Sequence, residues 1–180
     1  MWKTLIVLCG LAGPAFADGC PVAPEVEAAQ ADVLLGLQAA PDYMTARGLS
    51  AQLWDLWLQA PDEASQRMLD EGMAAMRSAD WVRAEARLNA LVGYCPFYAE
   101  GYNQRAFTAY LQGHYLAALP DLDEALKINP GHVAALAGKA LTLMKLGREA
   151  DGQRVLRDAL ALNPWLPERG LLKEPEGEKL

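Results

Sequence analysis

The chain has 180 residues, which is enough for one ordinary domain or a short array of repeats, and 52% of them are hydrophobic. This apolar fraction can form a continuous core, so the composition excludes a globally disordered chain. The formal net charge of −7 argues against a nucleic-acid partner, which requires clustered lysine and arginine, and against docking on anionic lipid.

The segment 1–17, MWKTLIVLCGLAGPAFA, has the three parts of a secretory signal peptide. A positive start containing Lys3 precedes an apolar run, and the small-x-small pattern AFA predicts cleavage after Ala17. The apolar run is shorter than the ~20 residues of a membrane span, so we expect no stable membrane insertion after cleavage. A lipoprotein anchor at Cys20 fits less well, because the acidic Asp18 lies just before it. We therefore expect a periplasmic or secreted protein.

Two cysteines, Cys20 and Cys95, remain after this segment is removed. In an oxidising compartment they could form a disulfide that closes a loop of about 75 residues, or they could remain two separate thiols. The sequence contains no CxxC, CxxCH or Cys/His cluster, so nothing in it supports a redox, haem or zinc site.

Residues 18–64 are predicted to contain an N-terminal tail and two helices. Helical periodicity is found in PEVEAAQADVLLGLQAA and SAQLWDLWLQAPD, and PDYMTARGL is expected to join them. Trp54 and Trp57 are three residues apart and therefore share one helix face. We interpret the two helices either as an N-terminal cap or as a degenerate fourth repeat.

Prolines then recur every 34 residues, at the ends of LVGYCP, ALKINP and ALALNP. This spacing divides the chain into units 65–98, 99–132 and 133–166, followed by a short capping segment and charged tail at 167–180. The eighth residue of each unit is small, and the fifteenth is alanine or glycine. At the eighth position these are Gly72, Ala106 and Ala140, and at the fifteenth Ala79, Gly113 and Gly147.

Each half of a unit has apolar residues three or four apart, which indicates an amphipathic helix. A small residue lets two helices cross closely, a glycine supplies the turn between them, and the proline ends the unit. Since one helical hairpin cannot bury its own apolar face, the units are expected to stack on one another.

These residues resemble the tetratricopeptide repeat, a helix–turn–helix unit of the same length. The clearest copy is AEGYNQRAFTAYLQGHYLAALPDLDEALKINP at 99–130, and the resemblance covers residues 65–164. It implies an all-α fold, a right-handed superhelix of stacked hairpins with an N-terminal helical cap. It also implies a protein or peptide partner bound on the concave side, and no cofactor.

Catalytic and metal-binding patterns are weak in this sequence. His114 and His132 lie at turns of the repeat, without a second ligand at metal-binding spacing, and we expect them to be solvated or turn-capping. The acidic run DLDEAL lacks the glycine and distal glutamate of a calcium loop. Phosphate-binding glycine loops and GxSxG are also missing from the sequence, so we predict no metal, no cofactor and no enzymatic activity.

The candidate binding site is the groove lined by the first helix of each unit. We refer to its thirteen candidate residues as the predicted groove set. They are Gln66, Leu69, Met73, Met76, Glu100, Asn103, Gln104, Phe107, Leu111, Ala134, Ala137, Leu141 and Met144. This mostly apolar set suits an extended or helical peptide, with methionines that adapt to its shape. The groove could instead be filled by the chain's own N-terminal helices.

Some tetratricopeptide domains hold a chaperone's terminal carboxylate with cations of the groove. The residues at the corresponding positions here carry no positive charge. They are Leu69, Met73, Gln104, Ala134 and Gly138. The resemblance therefore does not extend to this way of binding a terminal carboxylate.

The sequence predicts an exported interaction module, a scaffold or adaptor that binds another protein without catalysis. Two alternatives stay open at this point. One is a structural protein of the cell envelope whose repeats associate end to end, and the sequence does not fix the oligomeric state. The other is an enzyme, which predicts a tight polar pocket with buried ionisable groups in place of an open groove.

Overall fold

The computed structural model describes residues 19–23 and 25–173, and in that part of the chain it contains helices and no strand. The helices are α1 Glu27–Ala39, α2 Tyr43–Trp57, α3 Glu63–Arg77, α4 Trp81–Tyr94, α5 Ala99–Leu111, α6 Tyr115–Ile128, α7 Val133–Lys145, α8 Glu149–Leu162 and a final 3₁₀ helix, Pro167–Leu171. None of the helices in these described ranges is both long and apolar enough to span a membrane. The predicted signal peptide with its cleavage site, and the tail 174–180, lie outside the described residues.

Helices α3 to α8 form three antiparallel hairpins that stack in chain order. Within the first hairpin the core is built from Leu69 and Leu88, both fully buried. Gly72 lies at the crossing of α3 and α4, where an added Cβ would be 2.9 Å from Leu88 Cδ2. The predicted small residue at this position therefore permits the close packing, and the predicted all-α fold of stacked hairpins is confirmed.

The turn between the helices of each hairpin has the same backbone conformation in all three repeats. Ala79, Gly113 and Gly147 have φ angles of 57°, 79° and 75°. This is the left-handed region that glycine enters easily and that other residues avoid. The backbone angle thus restricts which residue types the fifteenth position of the unit can accept without strain.

The beginning of α2 differs from the prediction, since the helix starts at Tyr43 and includes most of the segment expected to be a linker. Asp42 sets this start, because its Oδ1 accepts a hydrogen bond from the backbone N–H of Thr45 at 2.8 Å. The link between α1 and α2 is correspondingly short. The prediction of a linker reaching residue 49 is wrong.

The helices α1 and α2, here called the N-terminal hairpin, lie across the loops that join the repeats. Gln30 and Asn129 exchange two side-chain hydrogen bonds of 3.0 and 2.8 Å. Near the other end of α1, the indole N–H of Trp165 donates to the carbonyl oxygen of Leu37 at 3.1 Å. The hairpin therefore reaches from the second repeat to the end of the third.

A disulfide joins Cys20 to Cys95, with Cα atoms 5.1 Å apart. Cys95 is buried at the end of α4, in the core of the first hairpin, while Cys20 lies ahead of α1. The bond ties the chain that leads into the N-terminal hairpin to the first repeat.

Candidate functional site

A cavity of about 630 Å³ lies between the N-terminal hairpin and the concave side of the repeats, and we call it the central cavity. One wall is α2, which contributes Leu53, Trp54 and Trp57. The facing wall is formed by α3, α5 and α7, and the segment 163–168 after α8 completes it. The groove is thus neither fully open nor filled, because α2 covers part of it and leaves a partly enclosed apolar space.

Eight residues of the predicted groove set line the central cavity. They are Met73, Met76, Asn103, Gln104, Phe107, Ala134, Ala137 and Leu141. Phe107 remains 47% exposed, so its ring is accessible at the mouth of the cavity. The structure therefore brings residues of all three repeats to one site.

Five residues of the predicted groove set lie elsewhere: Gln66, Leu69, Glu100, Leu111 and Met144. Leu69 is fully buried between α3 and α4, and Glu100 is 1% exposed. Gln66 accepts a hydrogen bond from the backbone of Ala60 and donates one to Asp70. Leu111 is exposed outside the cavity. Burial therefore removes Leu69 and Glu100 from the surface of an open groove, whereas the assignment of Gln66, Leu111 and Met144 to a binding surface stays a prediction.

The position of Met144 has a specific cause in the facing helix. Residue 152 of α8 is glycine, and a Cβ built there would lie 2.7 Å from Met144 Cγ. The methionine fills the space left by the missing side chain and packs with Ala140 and Leu156 between α7 and α8. In the first repeat the facing residue is Ala84, and there the equivalent Met76 lines the cavity.

Several aromatic residues of the cavity were not assigned to the site from the sequence. Trp54 and Trp57 line it from α2, Tyr110 from α5 and Trp165 from the segment after α8. Trp54 and Trp57 pack edge to face, with ring centroids 5.5 Å apart, as their spacing on one helix face allows. Their periodicity indicated a shared face but not which surface that face would contact.

Beneath the cavity wall, Glu100 and His132 form a buried pair that the sequence did not indicate. His132 Nε2 lies 2.8 Å from Glu100 Oε2, and the exposed fraction of each side chain is 1%. Nδ1 of the imidazole accepts the backbone N–H of Ala135 at 3.2 Å, so Nε2 carries the proton and donates to Glu100. The bond from Ala135 makes His132 a capping histidine, which is one of the two expectations. The other expectation, a solvated side chain, is wrong for His132 because it is buried.

Glu100 receives two further donors from its own helix. Asn103 Nδ2 donates to Oε2 at 3.1 Å, and Gln104 Nε2 donates to Oε1 at 2.5 Å. Gln104 is 4% exposed, and its own Oε1 has no hydrogen-bond partner among the described residues. Glu168, in the segment that closes the cavity, also has a buried oxygen, Oε2, without a hydrogen-bond partner in the same part of the chain.

Trp57 connects this buried pair to the N-terminal hairpin. Its indole ring stacks on the His132 imidazole with centroids 4.1 Å apart, and its Nε1 donates to Gln30 Oε1 at 2.7 Å. Tyr98 donates its hydroxyl proton to the carbonyl oxygen of Trp57 at 2.6 Å. Burial, followed by the negative charge of Glu100, raises the pKa of this Tyr98 hydroxyl, so it stays a donor. These contacts fix the position of the cavity wall formed by α2.

The described residues contain no group of three or more His, Cys, Asp or Glu side chains placed to hold a metal ion. The ionisable side chains of the cavity wall are Arg77, Tyr110 and Glu168, which belong to three different elements. The wall otherwise consists mainly of aromatic, aliphatic and methionine side chains. Such a site can hold apolar groups and orient them through a few polar contacts.

Part of the repeat region is similar to known proteins. A family model described as tetratricopeptide repeat matches residues 109–166. A TPR repeat-containing protein of Rhizobium etli is 32% identical over 78 residues, which cover 43% of this chain and 34% of that protein. The chain thus spans about a third of the length of this curated relative.

Two solved structures share the fold. The TPR domain of Arabidopsis OM64 has a TM-score of 0.59 at 24% identity, covering 61% of this chain and 90% of that one. The TPR2B domain of yeast Sti1, solved as a complex with pHsp70, has a TM-score of 0.53 at 22% identity, covering 54% and 78%. At these identities the likeness concerns the fold alone.

Proposed function

We propose that the chain, whose repeats are similar to tetratricopeptide repeats, is a non-catalytic scaffold or adaptor that holds a segment of a partner protein in the central cavity. The observation that carries the proposal is the apolar cavity, formed jointly by all three repeats and α2. Its volume of about 630 Å³ suits a few side chains of a peptide, because ligand sites in proteins commonly measure about 300–1,000 Å³.

The chemistry of the wall favours a peptide that inserts apolar side chains. Met73 and Met76 can change rotamer to fit different shapes, while Phe107 and Trp54 offer partly exposed rings. The yeast domain with the same fold was solved bound to pHsp70, which supports a peptide-type partner here. The positions that would form a carboxylate clamp lack cations, so we propose a different way of recognising the peptide.

We also propose that the protein is exported and acts in the periplasm or outside the cell. This proposal rests on the signal-peptide pattern of residues 1–17 and on the expected cleavage after Ala17. The Cys20–Cys95 disulfide supports it, since such bonds persist mainly in oxidising compartments. Export would place the cavity among proteins of the cell envelope.

One experiment tests function and location together. Tagged protein is recovered from the periplasm, and its intact mass should show that residues 1–17 have been removed. Wild type, Phe107→Asp and Leu116→Asp then capture partners that are quantified by mass spectrometry. Leu116 is 75% exposed on α6, outside the cavity, and serves as the matched control. Partners lost with Phe107→Asp and kept with Leu116→Asp support the proposal.

Two results of this experiment contradict the proposal. Recovery of the tagged protein only from the cytoplasm, with residues 1–17 retained, argues against export. The same set of partners from all three proteins shows that the central cavity is not the binding site.

A further inference from the structure

We propose that the partner segment in the central cavity carries apolar side chains next to a lysine, and that its N–H groups donate to Gln104 and Glu168. This inference deepens the proposed function and rests on it. It follows from two buried acceptor oxygens, on residues of the cavity wall, that have no hydrogen-bond partner among the described residues.

The orientation of the Gln104 amide is fixed by its neighbours. Glu100, when ionised, can only accept hydrogen bonds, so Gln104 must present its Nε2 to Glu100 Oε1. His132 and Asn103 supply Glu100 Oε2 with donors in the same way. The amide therefore cannot rotate by half a turn without placing two acceptors against each other. Its Oε1 remains an acceptor in the cavity wall without a partner in the described ranges.

Glu168 is the second free acceptor and carries charge. It lies in the 3₁₀ helix that closes the cavity, and its Oε2 is buried without a hydrogen-bond partner in the described part of the chain. None of the ion pairs found among the described residues includes it. A lysine ammonium fits this position, because it supplies both the opposite charge and three donors.

Two indole donors of the wall are engaged within the protein. The indole N–H of Trp57 binds Gln30, and that of Trp165 binds the backbone of Leu37. Arg77, a cation of the wall, belongs to α3, whereas Glu168 follows α8 at the other end of the array. A ligand with only acceptors, such as a fatty acid, would leave Gln104 and Glu168 unsatisfied. The net charge of −7 likewise favours a basic segment.

A random heptapeptide library displayed on phage tests the inference with the full disulfide-bonded chain as bait. Selections on wild type, Glu168→Gln and Phe107→Asp are sequenced in parallel. We expect wild type to enrich peptides in which lysine adjoins Leu, Met or aromatic residues, and Glu168→Gln to lose the lysine preference. In the best synthetic peptide, changing lysine to trimethyllysine keeps the charge but removes the N–H donors. This change should raise the Kd of the peptide for wild type by about tenfold.

A second variant tests the other acceptor. Gln104→Lys keeps a donor for Glu100 but removes Oε1, and its thermal melting curve shows whether the fold is retained. We expect a folded Gln104→Lys protein to bind the selected peptide at least about fivefold more weakly than wild type. If this variant is unfolded, the trimethyllysine peptide and Glu168→Gln still decide the question.

The possible results separate this inference from the proposed function. Enrichment of apolar peptides without lysine, unchanged by Glu168→Gln, overturns the inference and leaves the peptide-binding cavity in place. Enrichment of acidic peptides overturns it equally. If wild type enriches peptides no more strongly than Phe107→Asp does, both the inference and the proposed function are overturned.

Discussion

The Glu100–His132 pair shows how one buried charge is held by uncharged donors. Glu100 receives hydrogen bonds from His132, Asn103 and Gln104, and the stacked ring of Trp57 keeps water from the imidazole. A buried carboxylate in this state is stable only while its donors are in place. The N-terminal hairpin, through Trp57, thereby depends on a charge located in the second repeat.

We expect His132→Ala to lower the free energy of unfolding by about 3 kcal/mol, because it removes a donor from a buried carboxylate together with the stacking on Trp57. His114→Ala is the matched control. His114 is also the residue directly before a helix, but it is exposed and makes no side-chain capping bond, so a change within about 0.5 kcal/mol is expected. Urea unfolding followed by tryptophan fluorescence gives both values.

Equal destabilisation by the two substitutions would show that the buried pair contributes nothing beyond an ordinary turn residue. Far-ultraviolet circular dichroism before unfolding checks that both variants keep their helices. The comparison then depends only on the difference between a buried and an exposed histidine.

At the level of single elements, the repeats were predictable and the N-terminal helices were not. The 34-residue spacing and the small residues at positions such as Gly72 and Gly113 depend on contacts within one hairpin, which recur in sequence. The start of α2 depends on the cap at Asp42, and the burial of Met144 depends on the absence of a side chain at Gly152. Neither feature recurs at the 34-residue spacing, so the periodicity does not report it.

The turns of the three hairpins allow a prediction that isolates the backbone. Ala79 has a φ of 57°, so Ala79→Gly should raise the free energy of unfolding by about 1 kcal/mol, because glycine relieves the left-handed strain. Gly147→Ala should lower it by about the same amount. A Cβ at Gly147 meets no atom within 4 Å, so packing does not enter. Urea unfolding midpoints at constant slope measure both changes.

Both substitutions are needed for this comparison. If Gly147→Ala lowers the midpoint while Ala79→Gly lowers it as well, the strain at Ala79 is not what limits the first turn. The greater flexibility of glycine in the unfolded chain would then outweigh it.

On the scale of the whole molecule, the beginning of the chain closes over its middle and end. The contacts that achieve this join residues 99 positions apart, Gln30 and Asn129, and 128 positions apart, Leu37 and Trp165. Helical periodicity describes only one face of one helix, so the sequence left open whether the groove was open or self-filled. The eight groove residues that reached the cavity did so because the repeat fixes the concave face, and α2 then decides its depth.

The disulfide should stabilise the whole molecule mainly by restricting the unfolded chain. Cys20 and Cys95 are 75 residues apart, a loop for which chain entropy predicts about 4 kcal/mol. The double variant Cys20→Ser/Cys95→Ala is therefore expected to unfold with a free energy about 4 kcal/mol lower than that of oxidised wild type. Alanine is chosen at the buried position 95 because a hydroxyl there would have to be desolvated. Urea unfolding with and without dithiothreitol measures the effect.

The reductant provides the internal control for this prediction. Dithiothreitol should lower the unfolding midpoint of wild type to that of the double variant and leave the variant unchanged. If it shifts neither protein, the bond does not constrain the unfolded chain. If reduced wild type is clearly less stable than the variant, the loss comes from placing free thiols in the packed end of α4, and the entropic explanation fails.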